Sequence, residues 1–340
     1  SATWGYGVLP NAGPAVVGGL TPAARNVISG NRVGIRVGDS TTTIVQGNLI
    51  GTNKLGTAAV PNGNGFVSGG CNGGNATLQI GGATPEARNV VSGNVETGVS
   101  VGGRGAGCGD YTSVNSFIKG NYIGTDVTGT QPLGNDRGVI IDAGPDLYVG
   151  GTAPGEGNVV AFNSGAGITA YQGGVIHGIR ILGNRIFRNG AMGIDLIHSG
   201  GVTPNDAGDT DDFRQNFPVI TGVSANGGST TVTGTLNSEA GKTYRLEFFA
   251  SDAADATSHG EGQTYLGTTD VSTDGSGDAS FSVVLPTSVT NAQFVTATAT
   301  DPDGNTSEFS KLEADLSVTH LDAPDPVGTT QDVTHTLTVT

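Results

Sequence analysis

Residues able to do chemistry are sparse in this 340-residue chain, and those that cluster are mostly acidic. Asp136, Arg137, Asp142 and Asp146 lie within one short stretch, where a lyase could pair an acid-bound Ca²⁺ with a basic proton acceptor. Asp142-Ala143-Gly144-Pro145-Asp146 reads first as a turn, however. A second group, Asp206, Asp209, Asp211 and Asp212, puts four carboxylates beside Asn205, enough oxygen to wrap a hard cation such as Ca²⁺. Its spacing is not that of an EF-hand, and a solvated acidic linker explains it equally well. Asp301, Asp303 and Asn305 alternate as chelating residues do, although Asp-Pro-Asp-Gly-Asn is also a plain hairpin turn. The five histidines, His177, His198, His259, His320 and His335, are scattered. Tyr111, Tyr122, Tyr148 and Tyr171 could offer a sugar-stacking face or simply fill space between turns of the chain.

The elements that must position these residues repeat. Gly-Asn-Leu-Ile-Gly-Thr at Gly47 to Thr52 returns as Gly-Asn-Tyr-Ile-Gly-Thr at Gly120 to Thr125. Val17-Gly18-Gly19, Ile80-Gly81-Gly82 and Val149-Gly150-Gly151 are each followed by an asparagine, Asn26, Asn89 and Asn158, that opens a segment such as Asn26-Val27-Ile28-Ser29-Gly30-Asn31. A third line, glycine then apolar-any-apolar, starts at Gly34, Gly65, Gly98, Gly138, Gly167 and Gly193. About six turns of one winding unit therefore fill the first two-thirds of the chain. The strands are short and glycine-flanked, and they read as rungs of a right-handed parallel β-helix with the apolar pair inward and the middle residue outward. Repeated asparagines are expected to occupy left-handed turns and to stack their amides from coil to coil. Residues 1–17, bulky at Trp4, Tyr6, Val8 and Leu9, are expected to cap the open first coil.

Composition agrees with an all-β chain. There are 59 glycines, one methionine, one tryptophan and 13 % charged residues. The net charge is −15, and beyond Phe217 the only bases are Lys242, Arg245 and Lys311. No basic patch is available to displace counterions from phosphates, which argues against nucleic acid or an anionic membrane as partner. No apolar run is long enough to span a bilayer as a helix. Cys71 and Cys108 fall in consecutive winding units, so a disulfide between them is expected, implying an oxidising compartment. The Ser1 start suggests a processed, secreted protein.

Three regions follow: a β-helix with its N-terminal cap and acidic closing loop over 1–217, an immunoglobulin-like sandwich over 218–313, and a strand-bearing tail over 314–340. In the second, alternating segments such as Thr231 to Leu236 and Tyr244 to Phe249 are separated by turn signals at Asp274-Gly275 and Asp303-Gly304. In the tail, Val333, Leu337 and Val339 line one face of a strand that could pair with a neighbouring subunit and give a head-to-tail filament.

Gly120-Asn121-Tyr122-Ile123-Gly124-Thr125-Asp126 through Leu133-Gly134-Asn135, the Val149-Gly150-Gly151 line and Gly193-Ile194-Asp195-Leu196 resemble bacterial secreted or cell-surface proteins with parallel β-helix repeats, often carrying a segment named for its C-S-L-R-E-A letters. The resemblance covers about residues 15–217. Glu247-Phe248-Phe249-Ala250, Gly260-Glu261-Gly262-Gln263 and Ala299 to Phe309 resemble the sandwich that commonly follows such helices. Ala314 to Val318 with Pro324-Asp325-Pro326-Val327 is similar to the opening of a bacterial surface repeat. The resemblance implies an extracellular or cell-surface setting and leaves activity open. A structural or adhesive protein that associates with itself or with other surface components is the leading expectation. A polysaccharide lyase or glycoside hydrolase and a glycan-binding adhesin are the alternatives. Hydrolysis needs two facing carboxylates, yet the outward column Arg36, Val67, Ser100, Ile140, Thr169, Asp195 holds one.

Overall fold

The computed structural model describes residues 5–10, 13–38, 42–69, 77–102, 116–142, 147–170, 177–196, 201–210, 214–255, 257–290, 293–311, 313–314, 318–320 and 337–339. The described residues are all-β, with one short 3₁₀ turn among them at Pro22–Ala24. Among the described residues no helix is long and apolar enough to cross a membrane.

Between Tyr6 and Asp195 the chain winds through three parallel sheets in turn. The first sheet stacks Tyr6–Val8, Val33–Val37, Asn64–Ser68, Thr97–Val101, Arg137–Ile141, Ile168–Ala170 and Ile194–Asp195 in chain order. The second runs from Ala15–Gly18 to Ile179–Leu182, and the third from Val27–Ile28 to Arg185–Phe187, with six strands each. This is a parallel β-helix. Each strand pairs with the equivalent strand of the next coil, so every position becomes a column. Ile35, Phe66, Val99, Val139, Ile168 and Ile194 form one inward column of the first sheet and are all buried. Ile28, Ile50, Val91, Ile123, Val160 and Ile186 do the same in the third. Each such side chain withdrawn from water contributes about 1.5–3 kcal/mol, and alternation in the strand keeps the intervening residue outward.

Coils approach so closely at the glycine line that a side chain would strike the next backbone. A Cβ on Gly65 would lie 2.5 Å from the carbonyl oxygen of Gly98, and one on Gly98 would lie 2.8 Å from that of Gly138. The line begins one coil earlier than expected, at Gly7. Residues 6–8 and 15–18, read from sequence as part of a cap, are instead the first coil's strands, paired in parallel with Val33–Val37 and Thr43–Gln46. The Gly-Gly line and the Gly-Asn line are alternate coils of one stack, since Gly81 pairs with Lys119 and Gly150 with Leu182.

Beyond residue 217 the pairing changes sign. Val219–Asn226, Ser229–Asn237 and Asp278–Leu285 form one antiparallel sheet, while Thr243–Ser251, Thr264–Ser272, Phe294–Thr300 and Glu313–Ala314 form another. Side chains from both, among them Val232, Leu236, Leu246, Phe248 and Ala297, share one core. Val318–His320 and Leu337–Val339 pair antiparallel with each other.

Candidate functional site

The most ordered polar chemistry in the molecule is a pair of buried asparagine ladders. In one, Asn26, Asn48, Asn89, Asn121, Asn158 and Asn184 take successive coils. In the other, the order is Asn31, Asn62, Asn94, Asn135, Asn163 and Asn189. Each amide nitrogen donates to Oδ1 of the next coil's asparagine at 2.9–3.1 Å, and the backbone N–H of the same residue donates to that oxygen as well. Many amides also donate back to a main-chain carbonyl, as Asn121 does to Ile80 at 2.9 Å. The ladders therefore have a direction, with donors pointing toward the C-terminal end. Buried amides need such complete satisfaction, because an unmade bond costs about 1–3 kcal/mol.

The left-handed turns fall one residue away from where the sequence pattern predicts them. The ladder asparagines are not themselves left-handed; the residue before them often is. Gly30, Gly47, Gly93, Gly120 and Gly183 have φ between +61° and +77°, and Phe162 and Arg188 hold +61° and +54° ahead of Asn163 and Asn189. The reversal must precede the asparagine so that its amide can face the neighbouring coil.

At the last coil the ladder runs out of asparagines and meets the antiparallel sheets. Glu261 Oε1 accepts the Asn189 backbone N–H at 3.0 Å and its Nδ2 at 2.9 Å, the two bonds that a further asparagine would take. Glu247 Oε2 accepts the Gly183 N–H at 2.8 Å, while its Oε1 pairs with Arg245 at 3.0 Å. Glu308 Oε1 accepts the Leu196 N–H at 3.0 Å, and its Oε2 accepts that of Thr203 at 2.8 Å. Ile186 and Gly262 exchange backbone bonds, and Thr306 covers the edge at Ile179 and Ile181. Phe249 and Phe309 enter the β-helix core, their rings 5.4 Å apart. The antiparallel sheets thus close all three parallel sheets, one glutamate to each.

These carboxyls are buried, and burial sets their titration. It pushes Glu261 up to about 7 despite the Asn189 donors, and Glu308 up to about 7 despite the Leu196 and Thr203 amides. Glu247 is raised for the same reason, with Gly183 and Arg245 opposing. At Glu261, where only Oε1 accepts, the protonated acid resembles an asparagine amide, one oxygen accepting and the other free to donate. Sequence reasoning gave these three acids no role. The available signal was an acid inside an otherwise buried strand, as at Glu247-Phe248-Phe249, but it does not say what the acid faces.

The outward column from Arg36 to Asp195 is confirmed by register, and its only carboxylate, Asp195, is buried. Asp136 lies 4.0 Å from Arg137 and accepts a bond from Ser164 at 3.0 Å on an exposed surface. The Asp142 N–H donates to Val101 O in the coil-to-coil pairing. Asp206 Oδ2 takes the Thr210 N–H and hydroxyl, and Asp209 takes the Asn216 N–H and the Ser238 hydroxyl, so both carboxylates organise their own loop. Asp146, Asp211, Asp212, Cys71, Cys108, Tyr111, Tyr171 and Val333 lie outside the described residues. Leu337 and Val339 belong to the strand that pairs with Val318–His320.

Two cavities, each about 280 Å³, flank the seal. One is lined by Phe187, Arg188, Asp255, Glu261 and Gln263. The other joins two acidic segments that were separate in sequence, bringing Asp209 beside Asp301, Asp303, Glu239 and Tyr244. Among the described residues no three His, Cys, Asp or Glu side chains are arranged to hold a metal ion. Tyr122 packs beneath Arg88, whose Cζ is 4.1 Å from the ring centroid, whereas Tyr148 is partly exposed next to Phe117.

Fold and site together define a parallel β-helix repeat protein sealed at its C-terminal end by antiparallel sheets. No protein-family model matches the chain, and no curated protein matches it.

Proposed function

We propose that this chain is an extracellular structural or adhesive protein, a stiff β-helical rod with an immunoglobulin-like coupling module, allied to the bacterial surface β-helix proteins that its repeats resemble. The observation that carries the reading is the use of the buried carboxyls. Glu247, Glu261 and Glu308 are committed to backbone and ladder donors at the seal, and the outward column carries no pair of carboxylates able to flank a glycosidic bond. Continuous ladders stiffen the coil stack, as a rod requires. Self-association through the C-terminal strands belongs to the same proposal, as does Ca²⁺ at the acidic loop that carries Asp206, Asp209, Asp211 and Asp212.

A screen of neutral and acidic polysaccharides for new reducing ends and unsaturated products, run beside a glycan array and electron microscopy, tests it. Binding or assembly without turnover is the expected result. Turnover abolished by Asp136→Asn would refute the structural reading in favour of a lyase or hydrolase. A glycan-binding role is favoured by one surface: Phe117 and Tyr148 are adjacent on the second sheet, with Lys119 Nζ 5.3 and 5.7 Å from their centroids and Arg180 Cζ 5.0 Å from that of Tyr148. Loss of array binding in Tyr148→Ala would place the glycan there.

A further inference from the structure

The two ends of the β-helix are treated differently. At the C-terminal end Gly183, Asn189 and Leu196, which follow the last strands of the second, third and first sheets, each donate to a glutamate from the chain beyond residue 217. At the other end the ladders finish on acceptors. Asn26 and Asn31 donate forward to Asn48 and Asn62, yet the Oδ1 of each receives no hydrogen bond among the described residues. Asn26 is exposed and Asn31 half-buried, whereas Asn48 and Asn62 one coil on are fully buried. The apolar positions repeat the contrast. Tyr6 is 47 % exposed where its register partner Val33 is 7 %, and Val27 is 47 % exposed where Leu49 is 2 %. Tyr6–Val8, Ala15–Gly18 and Val27–Ile28 are also the terminal strands of their sheets. Three open parallel edges with exposed apolar residues form a surface that invites strand pairing.

We propose that this first-coil face is a docking surface for a further β-helical coil, carried by a partner segment whose ladder asparagines present their donor side to Asn26 and Asn31. The coil-to-coil interface already present in the molecule continues into this face, and ladder direction selects the occupant. A second copy docking head to head would set Oδ1 acceptors against Oδ1 acceptors. A second copy docking head to tail would bring an end already covered by the chain beyond residue 217, with the Asn189 donors taken by Glu261. A coil with free forward-pointing amides satisfies both ladders and all three edges.

The chain supplies its own probe. Tyr6 registers with Val33 and Val33 with Asn64, so Gly5, Arg32 and Gly63 are equivalent. A copy of residues 32–62 placed directly ahead of Gly5 would meet the first coil as residues 32–62 already meet the coil that follows them. Its two ladder asparagines, the copies of Asn48 and Asn62, then point at Asn26 and Asn31. The expected result is a higher urea midpoint and a several-fold fall in binding of an apolar fluorescent dye. The same graft carrying Asn48→Asp and Asn62→Asp within the copy, which keeps shape but removes the side-chain amide donors and sets a carboxylate in their place against Asn26 and Asn31, should give neither. An unshifted midpoint, a graft digested by protease while the parent resists, or equal stabilisation by the Asp graft overturns the inference. A concentration-dependent dimer of the unmodified chain, abolished by the graft, would assign the face to a second copy and overturn it too. The inference extends the rod reading, but its failure would leave the turnover and glycan tests of that reading unaffected.

Discussion

Glu261→Gln is the substitution whose effect follows most directly from the seal. The carboxyl rises from an ordinary 4.5 to about 7 because it is buried against the end of the ladder. Since the folded state holds the proton more tightly than the unfolded chain, stability is fully present below about pH 4.5 and declines as pH rises through about 7. At 1.36 kcal/mol for each pH unit of displacement, this one carboxyl withdraws on the order of 3 kcal/mol by pH 8. Glu308 behaves alike, with the same displacement and the same sign. Glutamine keeps an oxygen to accept the Asn189 bonds at 3.0 and 2.9 Å and removes the ionisation. Urea unfolding of wild type, Glu261→Gln and the Glu261→Gln/Glu308→Gln double variant, at intervals from pH 4.5 to 8, measures the effect. Near pH 4.5 Glu261→Gln and wild type should nearly coincide, while the double variant starts lower, because an amide at 308 turns an NH₂ toward the Leu196 or Thr203 N–H. By pH 8 the single variant should exceed wild type by about 3 kcal/mol, and the double by less than twice that. Wild-type stability that stays flat or rises across this interval, or a Gln variant that loses stability at pH 8, would show that the carboxylates are stabilised as anions at the seal.

Other predictions test the coil stack. Asn121→Ala removes the bonds to Asn158, Ile80 and Lys119 and strands the Asn89 donors, so denaturant titration should show a loss of about 3 kcal/mol or more. Gly81→Ala puts a Cβ 2.1 Å from the Lys119 carbonyl oxygen at φ +84°, whereas Gly30→Ala, at φ +77°, meets nothing within 4 Å. Gly30→Ala should therefore cost only the left-handed backbone penalty, about 1–2 kcal/mol, and Gly81→Ala clearly more by thermal melting; equal costs would refute the close-approach argument. Arg188 is exposed at φ +54°, so Arg188→Gly should relieve backbone strain and change stability by no more than about 1 kcal/mol, in the stabilising direction.

Much of the fold was legible because a β-helix writes its contacts periodically. The glycine line, the inward apolar pair and the outward column all appear in the structure at the residues read from the repeat, since each strand pairs with its equivalent one coil on. Less legible was the interleaving. Asn26, Asn89 and Asn158 on one side, and Asn48 and Asn121 on the other, look like two motifs in sequence, but unequal loop lengths hide the fact that they alternate in a single ladder.

The candidate site was legible only in part. Asp136, Asp206 and Asp209 were visible as members of acidic clusters, and their local roles as turn and loop acceptors depend on nearby hydroxyls and amides. Asp209 and Asp301 line the same cavity although more than a whole sheet of chain separates them.

By itself, then, the sequence determined the winding unit, its columns and the change to antiparallel strands, because those depend on residue type at short, repeated spacing. Tertiary packing alone makes the stretch from Tyr6 to Asn31 a coil whose ladder acceptors receive no bond among the described residues, while Glu247, Glu261 and Glu308 terminate the opposite end. A carboxyl carries the same letter on a solvated turn and against a buried amide. Which of the two it becomes is fixed by the chain that folds back over it.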